Sequence, residues 1–193
     1  MNKPLPCLVI IDMQKCMANT PADSRNNPQA EDNIVQLLQA WRAANAPVVH
    51  VRHISRSPNS AFAPGQSGVE LQKALQPLRH EHVVEKNVPD AFINTALERW
   101  LRVRDLNRIV LVGVSTNNSV EASTRTAGNL GFDTVVVLDA TFAFAMTDYA
   151  GRLRSADEVH AMSLANLSGE YATIMDTREV LANLTGQSGP AIA

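Results

Sequence analysis

The sequence predicts an α/β protein built on a mostly parallel sheet of about six strands, with helices on both faces. Three observations carry this. Short apolar runs alternate along the chain with stretches whose apolar residues recur at helical spacing. The run Ile109–Val112 is apolar without interruption, the pattern of a strand buried on both faces of a parallel sheet. The stretch IVLVGVSTNNSVEASTRTAGNLG, from Ile109 to Gly131, passes from that strand into a helix through the turn GVSTNNS. Such a junction holds a side chain at the carboxyl edge of a sheet, beside the unpaired N–H groups that open a helix.

The elements follow in order. Pro6–Ile11 is the first strand, closed by Asp12, and Met13–Pro28 is a polar loop. Ala30–Ala44 sets Ile34, Leu37, Leu38 and Trp41 on one helical face and stops at Asn45 and Pro47. Val48–Val51 is the second strand, and Ser55–Ser67 has the composition of a long functional or mobile loop. Ser67 and Glu70 form a capping box expected to open a helix through Leu78. His82–Glu85 is the third strand, leading into Lys86. Thr95 and Glu98 form a second box before a short helix with Leu97, Leu101 and Val103 inward. The fourth strand, Ile109–Val112, leads into a helix with Val120, Ala122, Thr124, Ala127 and Leu130 at its apolar or small positions, stopped by Gly131. Thr134–Leu138 is the fifth strand, and Ala140–Arg152 a loop carrying Phe142, Phe144 and Tyr149. Ser155 and Glu158 cap a helix with Val159, Met162, Leu164 and Leu167 inward and Gly169 as its stop. Tyr171–Met175 is the last strand, Thr177–Leu184 the final helix, and Gln187–Ala193 a frayed tail.

The 193 residues fit one domain spanning the chain, with a core over about residues 6–184. A net charge of -2 with scattered Lys and Arg points away from nucleic acid and anionic membranes. No apolar run is long enough to span a bilayer, and the first residues lack a signal-peptide core. Two cysteines, Cys7 and Cys16, make no disulfide framework, so a cytoplasmic location is expected. No Cys/His spacing suggests a metal, and no Gly-x-Gly-x-x-Gly suggests a dinucleotide cofactor. The expected partner is a small molecule, with no cofactor.

In parallel sheets ligands sit outside the carboxyl ends of the strands. Asp12, His53, Lys86, Ser115 through Ser119, and Asp139 all fall there. Asp12, after four apolar residues, is a general acid or base balanced by Lys86, or else an Asx-type turn closing the strand. Ser119 is a nucleophile served by the amides of the turn, or simply a good helix-opening residue. A serine needs a base, and Asp12, the candidate, is a poor one for an alcohol.

LVIIDMQ at Leu8–Gln14, Glu85-Lys86 followed by A-F-x-x-T at Ala91–Thr95, and GVSTNNSVEASTRTAGNLGF at Gly113–Phe132 resemble the isochorismatase-like, or cysteine hydrolase, superfamily over about Leu8 to Val180. The resemblance implies a three-layer α/β/α fold and an Asp-Lys-Cys triad, mapping to Asp12, Lys86 and position 119. It implies a non-proline cis peptide at Val114–Ser115, turning the Ser115 amide toward an oxyanion beside that of Ser119. It also implies self-association, as a dimer or tetramer. Gln14 resembles the family's substrate-side glutamine, with turn support as its alternative.

The departure is Ser119, where most relatives place the cysteine. Three explanations fit: an engineered Cys-to-Ser variant, a natural serine nucleophile, or kinship with the branch that lacks the cysteine. The natural serine is favoured. Cys16 lies in a loop, away from the helix mouth, and is read as inert rather than as the missing thiol. His50 and His53 invite a metal reading, but Val51-Arg52-His53 lacks the carboxylate of the Asp-x-His element in nicotinamidase-like relatives. His53 or Arg52 is then a substrate contact, or both are polar strand-end residues. Thr116 is a further candidate contact, and Phe92, Phe142 and Phe144 line an apolar pocket or fill core. The expected activity is hydrolysis of an amide or other C–N bond through an acyl-enzyme. One alternative is vinyl-ether hydrolysis with Asp12 as acid and no covalent intermediate. Another is an impaired enzyme kept for binding or assembly.

Overall fold

A computed structural model describes residues 4–18 and 24–184. The expected tail at Gln187–Ala193 lies outside the described residues. Six strands, β1 (Cys7–Ile11), β2 (Val48–His53), β3 (His82–Lys86), β4 (Arg108–Val114), β5 (Asp133–Phe142) and the last, β8 (Thr173–Met175), form one sheet. Its order is β3-β2-β1-β4-β5-β8, and every pairing is parallel. Between β5 and β8 lies a small antiparallel pair, β6 (Met146–Thr147) and β7 (Leu153–Arg154). The chain direction across the sheet reverses at β1 and β4, so their carboxyl ends open the crevice where such sheets bind ligands.

The helices are α1 (Lys15–Ala18), α2 (Ala30–Ala43), α3 (Leu97–Arg102), α4 (Glu121–Asn129), α5 (Ala156–Leu167) and α6 (Thr177–Leu184). All five residues of β1 are buried, and alternation divides them between two cores. Cys7, Val9 and Ile11 join Leu97, Leu101, Val120, Ala127 and Leu167 on one side. Leu8 and Ile10 join Ile34, Leu37, Leu38, Trp41 and Val180 on the other. The three-layer arrangement follows from that alternation. The stripe expected on α2 is the one buried, and Asn45, at φ 51, turns the chain where the helix ends.

Four expectations need correcting. Ser67–Leu78 is not a helix but two 3-10 turns, Ser67–Val69 and Lys73–Leu75. Its backbone bonds outward instead: the Lys15 amide donates to the Glu70 carbonyl and the Glu70 carboxylate takes the Lys15 ammonium, so no capping box forms. The Thr95 hydroxyl closes a local turn by donating to the Ala91 carbonyl and accepting from the Leu97 amide. Helix α3 therefore starts at Leu97 without a box, and Val103 is 68% exposed. The Ser155–Glu158 box is present on α5, but the helix buries Ala156, His160, Ser163 and Leu167 while Met162 is 64% exposed. Polar partners at the β4–α4 turn, described below, draw His160 and Ser163 inward. Finally β5 runs on to Phe142, because Thr141 and Phe142 pair with Gly113 and Val114 after a register shift.

That shift sits beside a residue that only glycine can supply. Gly113 has φ 117, and a Cβ there would collide with the Ile11 carbonyl and amide of the neighbouring strand. Gly113→Ala is expected to lose at least about 2 kcal/mol of stability in urea denaturation. Retention of wild-type stability would contradict that geometry.

Candidate active site

Asp12 follows β1 at φ 52, a left-handed conformation that aspartate tolerates, with its amide bonded to the Val51 carbonyl. This turn ends the strand and directs the carboxylate across the sheet edge. Lys86, the last residue of β3, lies two strands away. Its side chain is fully buried and donates to Asp12 Oδ2 at 2.7 Å and to Ser119 Oγ at 3.2 Å. Asp12 Oδ1 has no hydrogen-bond partner among the described residues. Burial pushes the Asp12 carboxyl above its ordinary range, while the Lys86 ammonium and the Ser119 hydroxyl pull it back.

Ser119 is positioned by the turn after β4. The Val114–Ser115 peptide is cis. Thr116–Val120 forms a single π-type turn, with the Asn118 and Val120 amides both donating to the Ser115 carbonyl. Helix α5 supports this turn from behind. His160 Nδ1 lies 2.8 Å from Thr116 Oγ1, and Ser163 Oγ lies 2.9 Å from the Thr116 carbonyl and 2.6 Å from Glu121 Oε2. Ser123 ties the other end, donating to the Ser119 carbonyl and accepting from the Ala91 amide. The A-F-x-x-T segment and the serine turn are thereby joined.

Asp12 and Ser119 face a cavity of about 170 Å³. Its walls include His53, Val114, Ser115 and Asn118, with Met17, Phe62 and Pro89 as the apolar part. His53 was expected here, and its ring stands edge-on to Phe62 at 5.4 Å. Burial and the Lys86 charge lower its pKa, with Asp12 acting in the other direction. The other expected contacts lie elsewhere. Gln14 is fully buried, and its amide bonds the His53 amide and carbonyl and the Val69 carbonyl, so it braces loops instead of lining the cavity. Thr116 faces His160 on the far side of the turn. Phe92 packs on Phe132 in one core, and Phe142 lies in the other beneath the Arg25 guanidinium. Asp139 caps α6, accepting from the Thr177 amide and hydroxyl.

Asn118 falls in the Ser115–Ser119 stretch expected at the sheet edge, whereas Met17, Phe62 and Pro89 were not singled out. Met17 and Phe62 lie in the stretches expected as loops, Met13–Pro28 and Ser55–Ser67, and Pro89 carried no signal. The thiol of Cys16 is raised by burial and is not part of the cavity wall.

A parallel α/β sheet with an acid, a lysine and a hydroxyl gathered at its switch point is the architecture of a small-molecule enzyme. Comparison with known proteins gives the family. The isochorismatase domain matches residues 6–179. The isochorismatase-family protein YrdC of Bacillus subtilis is 37% identical over 174 residues, 90% of this chain and 93% of that protein. A crystal structure of an isochorismatase-family protein from Chromobacterium violaceum superposes with a TM-score of 0.90 at 47% identity, covering 96% of this chain and 100% of the other. More distant relatives are named for what they cleave. Nicotinamidase 3 of Arabidopsis thaliana is 25% identical over 96% of this chain and 91% of its own length. The ureidoacrylate amidohydrolase RutB of Acinetobacter baylyi is 33% identical over 61% of this chain and 44% of its own. The chain belongs to the isochorismatase family, whose members are hydrolases.

Proposed function

We propose that this protein hydrolyses a C–N bond of a small molecule, an amide in the simplest case, through Asp12, Lys86 and Ser119. One observation carries the reading: the Lys86 ammonium is within hydrogen-bond reach of both Asp12 and Ser119, where those two groups face a cavity. Ser119 Oγ attacks the carbonyl carbon and its proton passes to Asp12. The ammonium at 3.2 Å stabilises the alkoxide as it develops. The amides of Ser115 and Ser119 receive the charge on the carbonyl oxygen. The C–N bond then breaks, Asp12 returns the proton to the leaving nitrogen, and an ester on Ser119 remains. Water attacks that ester with Asp12 again as base, releasing a carboxylic acid. The amidohydrolases among the relatives support the bond class.

A second reading has its own support. Asp12 Oδ1, which has no hydrogen-bond partner among the described residues and belongs to a carboxyl whose pKa burial raises, suits a proton donor to a vinyl ether, with Ser119 only shaping the wall. The pH profile separates the two. A base must be ionised, so amide hydrolysis is expected to fall as pH drops through the raised Asp12 pKa. An acid must be protonated, so vinyl-ether hydrolysis would fall as pH rises through it. Mass spectrometry of protein quenched during amide turnover is expected to find an acyl adduct on Ser119 and none in Ser119→Ala. Amide turnover without an adduct, undiminished in Ser119→Ala, would refute the covalent route.

A further inference from the structure

Thr116 opens the serine turn, and α5 holds it at two points. One of the two is divided. Ser163 Oγ lies 2.9 Å from the Thr116 carbonyl and 2.6 Å from Glu121 Oε2, and one hydroxyl hydrogen cannot serve two acceptors fully. The other is not. His160 is buried, and its Nδ1 stands 2.8 Å from the hydroxyl oxygen of Thr116, a residue with no exposed surface.

The surroundings decide which of these two donates. His160 Nε2 lies 3.5 Å from Asn27 Nδ2, but the two hydrogens of that amide go to the Leu138 carbonyl at 2.7 Å and the Thr141 carbonyl at 2.6 Å. Nε2 therefore has no hydrogen to accept there and carries its own, facing the Leu138 carbonyl on β5. Burial lowers the pKa of the ring, so near neutrality Nδ1 keeps its lone pair and accepts from the Thr116 hydroxyl. One imidazole thus joins β5 to the start of the turn. Ser123 ties the other end, donating to the Ser119 carbonyl. Between those ties stands Ser119 Oγ, 3.2 Å from Lys86 Nζ.

We propose that His160 is the positioning residue of the serine turn: by accepting the Thr116 hydroxyl it sets where the side chain at position 119 stands relative to Lys86 and to the Ser115 and Ser119 amides. The role of the amides rests on the C–N reading above; the distance to Lys86 depends on no substrate. His160 lies behind the turn and not in the cavity wall, so it acts through Thr116. A misplacement of about 1 Å can cost about 10²-fold in rate, which lets a residue out of contact with substrate control turnover.

Two readouts test this, one of them without substrate. In Ser119→Cys, alkylation by iodoacetamide at position 119, located by mass spectrometry, reports how near the thiol stands to the Lys86 ammonium. Adding His160→Phe is expected to slow that alkylation near neutral pH by at least about fivefold, because a thiol farther from the cation is less acidic. Thr116→Val, which removes the hydroxyl and keeps the shape, is expected to do the same, and the two together no more than either alone. His160→Gln, whose amide oxygen can accept in place of Nδ1, is expected to recover most of the rate. With Ser119 in place, His160→Phe is expected to lower kcat for amide hydrolysis by about 10²-fold while KM stays within about threefold. Should His160→Phe not fold, Thr116→Val and the ring ¹⁵N NMR signals of the wild type still decide. Alkylation that Thr116→Val leaves unchanged, effects of the two substitutions that multiply, or a neutral ring with its hydrogen on Nδ1 overturns the proposal. Alkylation that responds in a protein turning over no amide keeps the positioning role and removes the hydrolytic reading. Amide turnover undiminished in both His160→Phe and Thr116→Val does the reverse.

Discussion

Replacing Ser119 with cysteine is expected to raise kcat/KM for amide hydrolysis by about 10²-fold or more. An alcohol is almost never ionised near neutrality, so every attack by Ser119 must wait for a base, and a carboxylate is a weak base for it. A thiol titrates several units lower, and a cation beside it lowers it further. The Lys86 ammonium stands 3.2 Å from the atom that would become sulfur. Only one atom changes, in a side chain that is 6% exposed and already held by its turn, so the swap asks little of the packing. Iodoacetamide labelling of Ser119→Cys, followed against pH, should show a thiol more acidic than a free cysteine. A variant with an unchanged rate and an ordinary thiol would mean that the site is not built to activate a nucleophile, and would favour the proton-donor chemistry of Asp12.

The residues that carry the candidate chemistry were legible because each stands where a local pattern breaks. Asp12 interrupts an apolar strand, Lys86 ends another, and Ser119 lies in a turn with no room for anything but a change of direction. The topology then brings them together without further information. The Ile109–Val112 run and the α2 stripe were legible for a similar reason: a buried strand and an amphipathic helix have few alternatives. What failed were inferences resting on one residue type. Ser67 and Glu70 have the spacing of a capping box, yet the loop after β1 offers their segment better partners. Phe92 and Phe142 are aromatic at the right end of the sheet, but packing against Phe132 and Arg25 takes them into the cores. On α5 the spacing of its apolar residues pointed Met162 inward, whereas hydrogen bonds to Thr116 turn His160 and Ser163 there instead. Tertiary partners decided these cases, and no local window contains them.

The buried pair makes the other large prediction. Lys86→Met removes one member of an ion pair whose lysine side chain is fully buried, stranding the Asp12 carboxylate. Such a loss is expected to cost about 3–5 kcal/mol at neutral pH and to abolish activity. The sign with pH follows from Asp12. Burial already places its folded-state pKa above the unfolded value of 3.8, and loss of the ammonium raises it further. The folded state then holds the proton more tightly than the unfolded one, so stability falls as pH rises from the unfolded pKa to the folded one. The deficit of Lys86→Met relative to wild type should thus be small at about pH 4 and large at about pH 8 in urea denaturation. The double variant Asp12→Asn/Lys86→Met removes the stranded charge. Asparagine accepts the φ of 52 at position 12, so most of the stability should return while activity does not. A deficit independent of pH, or a double variant no more stable than Lys86→Met, would mean that the pair contributes through packing and not through charge.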